Sequence, residues 1–478
     1  MKKGRILLIV HDVYQEVNVF SLGVAYIAAV LAREGHHVDT YCQDLFHYSN
    51  EELADYLDNN EYDIIGVGFL ASRFNETIID LCNTINSHKK KSWLVLGGHG
   101  PSPIPEYILK KTKADIVTVG EAENSIVEIV KDKLDKKHNL DKINGIAWRK
   151  GDEVLVNSRV KPIMKIDEIP FPLWENFPID KYKRSVRIFE QQKQEYSLTA
   201  TSTRGCINKC NFCYRMEEAI RVRSMKNFVS ELKKLNDLYS INNFIFADEM
   251  FVLNKKRLIQ FEKELNKNNL NIRFSCDARV DKFNTELVTI LKRCGCVFVN
   301  FGLESTDNKV LQLMNKNTTF EINTKAVESV LSVGGIGIGL NFLWGNIGDT
   351  ESSLLNNVKF LKKYNTYKQI RTIRPPTPYP GSGLYYTAIR NGLLNGPEDF
   401  FNKFKNSDLY MVNFTNIPLE RFYELLFEAN KELILDHYYS TSKDMESAND
   451  FIDQFKKLYF GKNDKFRGVR KQLYLEEF

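Results

Sequence analysis

Short apolar runs alternate with amphipathic stretches along the first third of the chain. "RILLIV" reads as a buried strand, "SLGVAYIAAVLAREG" as a helix closing at Gly35, "HVDTYC" as the next strand and "NEELADYLDNN" as the next helix. The alternation continues through the strand "DIIGVGFL", the helix "NETIIDLCNTINSH", the strand "SWLVLGG", a helix near "IPEYILKKT", the strand "DIVTVG" and a helix from Glu123 to Asp132. Strands this short, separated by helices, predict an α/β unit with a parallel, doubly wound sheet over residues 1–143. Ligands of such sheets lie beyond the C-terminal strand ends, where "GFLASR", "GGHGPS" and "GEAEN" fall.

The pattern changes near Asn144. "GIAWRKGDEVLVNS" predicts a hairpin and "IDEIPFPLWENFP" a Pro-rich linker, together covering 144–195. A second alternating run over 196–396 starts at "EYSLTATST" and has later strands at "NNFIFA", "IRFSC", "VFVNFG", "GIGLNFLWG" and "QIRTIR". Helices fill the gaps at Lys226 to Tyr239, Lys255 to Asn268, Thr285 to Cys294, Phe320 to Val333 and Glu351 to Tyr364. Six such repeats predict a partial (β/α)6 barrel with its chemistry on the loops after the strands. Residues 397–478 read as mainly helical and aromatic, ending in a basic stretch that could touch a membrane surface or pack as a solvated helix.

With 66 basic and 61 acidic residues in 478, the net charge of +5 is too small to point to a nucleic-acid partner. No stretch of about 18 apolar residues predicts a spanning helix, and Ile6 to Val10 is too short for a signal sequence, so a cytoplasmic protein is expected. In a reducing compartment, clustered cysteines bind metal or do chemistry more often than they form disulfides. Of 8 cysteines, Cys206, Cys210 and Cys213 crowd into "STRGCINKCNFCYR", on the loop after the first barrel strand. Four thiolates would close a zinc or iron-sulfur site, whereas three leave one metal position open. Zinc is the competing reading, and it lacks a fourth ligand at finger-like spacing. Cys42, Cys82, Cys276, Cys294 and Cys296 read as small buried residues.

The Cys-x3-Cys-x2-Cys spacing, with Phe212 before its last cysteine, resembles the radical S-adenosylmethionine (SAM) enzymes. The likeness extends over about Ser197 to Gly396. It implies a [4Fe-4S] cluster on Cys206, Cys210 and Cys213, with SAM bound at the open iron. "FADEMF" falls where the family contacts the methionyl amine, and which of Ala247, Asp248 and Glu249 makes that contact stays open. "FGLEST" places Glu304 where members of the family bind the adenosyl or methionyl end of SAM. "NFLWGNIGDTE", with Gly345, and "PPTPYPGSGLYYTAIRNGLL" resemble the subgroup that contains the anaerobic porphyrin cyclases and methylthiotransferases. Phe212 and Gly345 are the remaining SAM candidates, and an electron donor such as flavodoxin or ferredoxin is implied. Iron-sulfur potentials reaching roughly −700 mV suit the one-electron cleavage of a sulfonium.

The first unit resembles the cobalamin-binding module of B12-dependent radical SAM enzymes, through "SLGVAYIAAVLAREGHHV", "DIIGVGFLASRFNETI", "LVLGGHGPSPIPE" and "DIVTVGEAENSIVEIV". The resemblance implies cobalamin contacts at Gly97, Gly98, Gly100 and Gly120, where the backbone can approach a ligand. It adds polar candidates at Ser72, Arg73, Ser102 and Glu121, for which turn and cap roles compete, and places Leu70 to Arg73, with Ala71 among them, facing the lower side of the cobalamin. The family's Asp-x-His-x-x-Gly is missing from "HDVYQEVN", so base-off cobalamin without a histidine ligand is expected, with His11 a loop residue. A Rossmann dinucleotide site would need glycines after the first strand, and "VHDVYQ" has none.

The resemblance implies a methyltransferase acting at an unactivated carbon of a small-molecule, lipid or peptide substrate. A non-methylating radical oxidoreductase or cyclase of the same architecture is the alternative, and a cobalamin sensor is a third class. Asp248, Glu249, Arg279 and Tyr379 are candidate substrate-facing groups, and Arg279 could equally brace the barrel.

Overall fold

A computed structural model describes residues 2–13, 19–137, 139–188, 191–192, 194–367, 369–441, 444–461 and 466. The chain divides into two compact units, Met1–Val186 with Tyr214–Ser224, and Arg187–Cys213 with Met225–Phe478.

The first unit is built on strands β1 (Arg5–Val10), β2 (His37–Cys42), β3 (Ile64–Gly68), β4 (Trp93–Gly97), β5 (Ile116–Thr118), β6 (Ile146–Lys150) and β7 (Glu153–Val156). They form one sheet in the order β2-β1-β3-β4-β5-β6-β7. The first five pair in parallel, and β6 and β7 are antiparallel. Ile6, Leu7, Ile9, Ile64, Ile65, Leu94, Leu96 and Ile116 are fully buried, because strands covered by helices on both faces must be apolar throughout. Helix Leu22–Arg33 ends before Gly35, whose φ of 84° makes the turn, and helix Asn50–Asn59 starts on a capping box between Ser49 and Glu52. The strand order reverses between β1 and β3, which locates the ligand crevice of a doubly wound sheet at the loops following those two strands.

Two expectations change here. The hairpin beginning at Ile146 is not set apart from the first unit but extends its sheet by two strands. The Pro-rich stretch is likewise packed into that unit: Trp174 is fully buried against Phe20, at 4.9 Å between ring centroids, and Leu173 N–H donates to Ala25 O at 3.1 Å. Aromatic burial of this size outweighs the loop-like composition of the segment.

In the second unit, strands Ser197–Ala200, Asn243–Phe246, Arg273–Ala278, Cys296–Glu304 and Gly337–Phe342 lie side by side in chain order, all parallel. The intervening helices are Met225–Tyr239, Lys255–Lys267, Thr285–Arg293, Phe320–Val333 and Glu351–Tyr364. Side chains of Asn254, Asn284, Thr319 and Thr350 cap the last four. On the fourth strand Val299, Phe301 and Leu303 are fully buried, while Phe298, Asn300 and Gly302 alternate with them at intermediate exposure. The first set packs on the helices and the second lines the inner face.

The sixth strand expected at "QIRTIR" is reduced to a single parallel bridge, Leu343 to Arg374. Its backbone is satisfied elsewhere: the fully buried Asn430, on helix Leu419–Thr441, accepts from Ile373 N–H at 2.7 Å and donates to Ile373 O at 3.1 Å. Helices Gly383–Arg390, Pro397–Lys403, Leu419–Thr441 and Met445–Phe460 make up the C-terminal region. Most of the basic tail and residues 14–18 of the first loop lie outside the described residues. Among the described residues no helix is long and apolar enough to cross a membrane.

Candidate functional site

The cysteine loop leaves the first barrel strand through Ser202 and Thr203, both buried. Asp248, at the end of the second strand, is 1% exposed and accepts from Ser202 N–H at 2.9 Å and Ser202 Oγ at 2.8 Å. Arg257 donates from Nη2 to Ser202 O at 3.2 Å and to its Oγ at 3.0 Å. Burial raises the Asp248 carboxyl above its usual range, opposed by the Ser202 and Thr203 hydroxyls. The motif therefore splits. Asp248 turns inward to hold the cysteine loop, whereas Ala247 and Glu249 are exposed.

Cys206 and Cys210 are half-buried and Cys213 is the outermost of the three. Met250 Sδ lies 3.6 Å from Cys206 Sγ, which also accepts from Asn208 N–H at 3.5 Å. Desolvation raises the Cys213 thiol to about 11, reinforced by the negative charge of Cys210, Glu249 and Cys206 and opposed by Lys316. Cys210 is also raised by burial, with Lys316 pulling in the other direction. Both shifts favour the neutral thiol, so metal uptake at Cys210 and Cys213 would release protons.

Glu304 ends the fourth strand with a φ of 68°, a left-handed conformation that a glutamate holds only when its surroundings enforce it. Its Oε1 pairs with Lys316 Nζ at 2.8 Å, and both side chains are 9% exposed. Lys316 Nζ also lies 5.8 Å from the centroid of the Phe212 ring. A Cβ on Gly302 would come within 2.5 Å of Glu304 Oε1, so glycine is what admits the pair. Lys316, Met250, Ser202 and Arg257 carry no spacing signal in the sequence; only the fold gathers them.

Three thiols on one loop are a donor set of the kind that holds a [4Fe-4S] cluster. A [4Fe-4S] cluster offers each thiolate its own iron. Gly345 belongs to a different setting. Its N–H donates to Asp349 Oδ2 at 3.0 Å, its carbonyl accepts from the Tyr410 hydroxyl, and a Cβ would strike the Phe422 ring at 2.8 Å. That is a packed turn. Arg279 braces the barrel by donating to Asp281 Oδ1 at 3.0 Å and to Lys316 O at 3.1 Å, and Tyr379 packs on Phe400 and Phe404.

In the first unit the candidate loops converge on the C-terminal edge of the sheet. Phe69 N–H donates to Gly97 O at 3.1 Å, Gly100 N–H to Phe69 O at 2.9 Å, Ser102 Oγ to Gly98 O at 2.8 Å, and Gly120 N–H to Ser102 Oγ at 3.2 Å. The glycines serve this convergence directly. A Cβ would meet Thr118 Oγ1 at 2.5 Å from Gly97, Phe69 O at 3.1 Å from Gly98, the Phe69 ring at 2.8 Å from Gly100 and Glu217 Oε1 at 2.8 Å from Gly120. The close approach they allow is thus first of the protein to itself.

Ala71, Ser72 and Arg73 form a 3-10 turn that runs into a π-helical turn at Phe74–Ile78, and Leu70 before them is 58% exposed. Irregular helix of this kind concentrates at functional sites. Arg73 pairs with Glu76 at 2.8 Å. Glu121 is held at both carboxylate oxygens by Arg221, a buried residue of Tyr214–Ser224. His11 is buried, its Nδ1 3.1 Å from Asp12 O and 3.4 Å from Thr77 Oγ1, and burial lowers its pKa. Leu70, 58% exposed, projects from the loop after β3, beside the β1–β3 switch point where ligands of doubly wound sheets bind.

Comparison with known proteins agrees with both halves. Residues 201–361 match the radical SAM superfamily and residues 11–130 the B12 binding domain. An uncharacterized methyltransferase of Pyrococcus horikoshii is 30% identical over 383 residues, spanning 78% of this chain and 79% of that protein. The anaerobic magnesium-protoporphyrin IX monomethyl ester cyclase of Rubrivivax gelatinosus is 26% identical over 376 residues, 76% of this chain and 65% of its own. In fold, the chain is similar to the radical SAM methyltransferase TsrM from Kitasatospora setae, solved with cobalamin and a [4Fe-4S] cluster bound. The TM-score is 0.65 at 15% identity, over 83% of this chain and 76% of that one.

Proposed function

The chain belongs to the radical SAM superfamily, in the branch that carries a B12-binding domain, and from that premise we propose that it is a cobalamin-dependent methyltransferase acting at an unactivated carbon of a small molecule. The observation that carries this reading is the pairing, in one chain, of a three-thiol loop beside Glu249 with an N-terminal B12 domain, along a sequence similar over most of its length to a methyltransferase.

When bound, the cluster and SAM supply a 5′-deoxyadenosyl radical that removes hydrogen from substrate, and the corrinoid supplies the methyl group. Cys206, Cys210 and Cys213 would hold three irons and leave the fourth open. Glu249 and the Glu304–Lys316 pair would orient the two ends of SAM, and Phe212 would back the loop. Leu70 to Arg73, with the loop edge at Gly98 to Ser102, would support the corrin in a base-off form without histidine ligation. The protein would work in the cytoplasm with a low-potential donor such as flavodoxin or ferredoxin.

Ring formation without methyl transfer is the second reading, favoured by the likeness to the cyclase. Product analysis separates the two. Reconstituted protein supplied with methyl-labelled SAM and a substrate should form S-adenosylhomocysteine together with 5′-deoxyadenosine, with label in the product. Formation of 5′-deoxyadenosine alone during substrate conversion would exclude methyl transfer and select the cyclase reading.

A further inference from the structure

The inner face of the barrel holds a cation for which the described chain provides no counter-ion. Arg371 lies on the segment that takes the place of a sixth strand and is 7% exposed. Nη2 donates to Ile338 O at 2.8 Å, and the guanidinium carbon stands 5.9 Å from the centroid of the Phe298 ring. No carboxylate among the described residues pairs with it. Burial alone lowers its pKa, to about 9, so it remains cationic at neutral pH.

Phe298 locates this group. It shares the inner face with Asn300 and Gly302, and strand register aligns it with Ser275 on one side and Gly337 on the other. The next layer toward the loops contains Asp277, Asn300 and Gly339, with Asn300 Nδ2 donating to Asp277 Oδ1 at 2.9 Å. A Cβ on Gly339 would come within 2.0 Å of Asn300 Oδ1, so glycine is what makes room for the Asn300 side chain in this layer. Arg371 therefore sits below a polar layer, deeper in the barrel than the cysteine loop.

One guanidinium nitrogen bonds a carbonyl of the described chain, and the planar fork matches the two oxygens of a carboxylate or phosphate. We infer that Arg371 is an oxyanion-recognition residue at the floor of the barrel and that the substrate enters with a carboxylate or phosphate group leading. The Phe298 ring would cover the apolar part adjoining that group, and the Asp277–Asn300 layer would meet hydrogen-bond donors nearer the reacting carbon. This inference deepens the methyltransferase reading by assigning a substrate class, and it rests on that reading only in taking the lumen as the substrate chamber.

The test needs no turnover. Full-length protein without added cofactors is heated with benzoate, with the neutral isostere benzamide or with inorganic phosphate, at constant ionic strength, beside Arg371→Met and Arg371→Lys. Benzoate near tenfold saturation should raise the Tm of the wild type by about 2–4 °C and benzamide should not. A response to phosphate equal to or above that to benzoate would select the phosphate class. Arg371→Met should abolish the anion response and, in the absence of anion, melt no lower than wild type, since it removes an uncompensated buried charge. Should that variant fail to fold, Arg371→Lys should fold and retain a weakened response. Equal shifts with benzoate and benzamide, no shift with either anion, or an anion response that persists in Arg371→Met would each overturn the assignment. None of these results bears on methyl transfer, so the two readings fail independently.

Discussion

At the scale of single residues, Asp248 and Glu249 are neighbours in sequence with separate roles. Asp248 is buried and satisfies Ser202 N–H and Oγ, so Asp248→Ala leaves buried donors unpaired and should cost about 1–3 kcal/mol. Because Ser202 begins the cysteine loop, the same variant should also retain less iron after anaerobic reconstitution. Glu249→Ala, at an exposed position, should change stability by less than about 0.5 kcal/mol. It should keep its iron and lose the change that SAM causes in the electron paramagnetic resonance spectrum of the reduced cluster. Urea denaturation, iron assay and that spectrum together check the division; an Asp248→Ala protein with normal stability and iron would refute it. The family resemblance was enough to single out "FADEMF", but the sequence carries no signal for which side chain turns inward. That depends on Ser202 meeting Asp248 and Arg257 in three dimensions, across 46 and 55 residues of chain. Lys316 was illegible for a similar reason, since its partner Glu304 is reached only through the turn that follows a strand.

At the scale of elements, hydrophobic period and capping chemistry made the regular pieces readable. The helices starting at Thr285, Phe320 and Glu351 begin where Asn284, Thr319 and Thr350 cap them. "QIRTIR" has strand composition and yet forms one bridge, at Arg374, while Asn430 from a distant helix takes both backbone groups of Ile373. The Pro-rich stretch was equally misleading, and it carries a titrating contact. Tyr182, on helix Ile179–Ser185, donates its hydroxyl to Asp44 Oδ1 at 2.8 Å and Oδ2 at 2.9 Å, just after β2. Burial pushes Asp44 up to about 7 despite those bonds, and Asp12 adds to the rise. The folded carboxyl thus holds a proton that the unfolded one, near the ordinary 3.8, has released. Its contribution to stability is full below about pH 4 and is lost as pH rises through about 7. Relative to Asp44→Asn, the wild type should lose up to about 1.4 kcal/mol per pH unit across that window and nothing further above it. Urea unfolding of both proteins at pH 5, 6, 7 and 8 measures the difference; a constant gap would show that Asp44 is ionised in the folded state.

At the scale of the molecule, each cofactor is assigned to residues of a different unit: the cysteines lie in Arg187–Cys213 and the corrin candidates in Met1–Val186. The units have separate cores, so damage to one cofactor site should leave the other able to load. Replacing Cys206, Cys210 and Cys213 together with alanine should reduce iron from about four per chain to near zero, while corrinoid stays near the wild-type level. Gly98→Val should do the reverse. Gly98 has a φ of 98° and a Cβ there would lie 3.1 Å from Phe69 O and 3.3 Å from Phe69 N, so a branched side chain must pry apart the loops after β3 and β4. The strain falls on the edge of the sheet and leaves the barrel strands untouched, so iron loading should persist as corrinoid is lost. Metal analysis and the visible absorbance of the corrinoid, measured on both variants after identical reconstitution, read the two cofactors separately. Loss of both cofactors from either variant would mean that loading is a property of the whole chain, and the assignment of one cofactor to each unit would have to be abandoned.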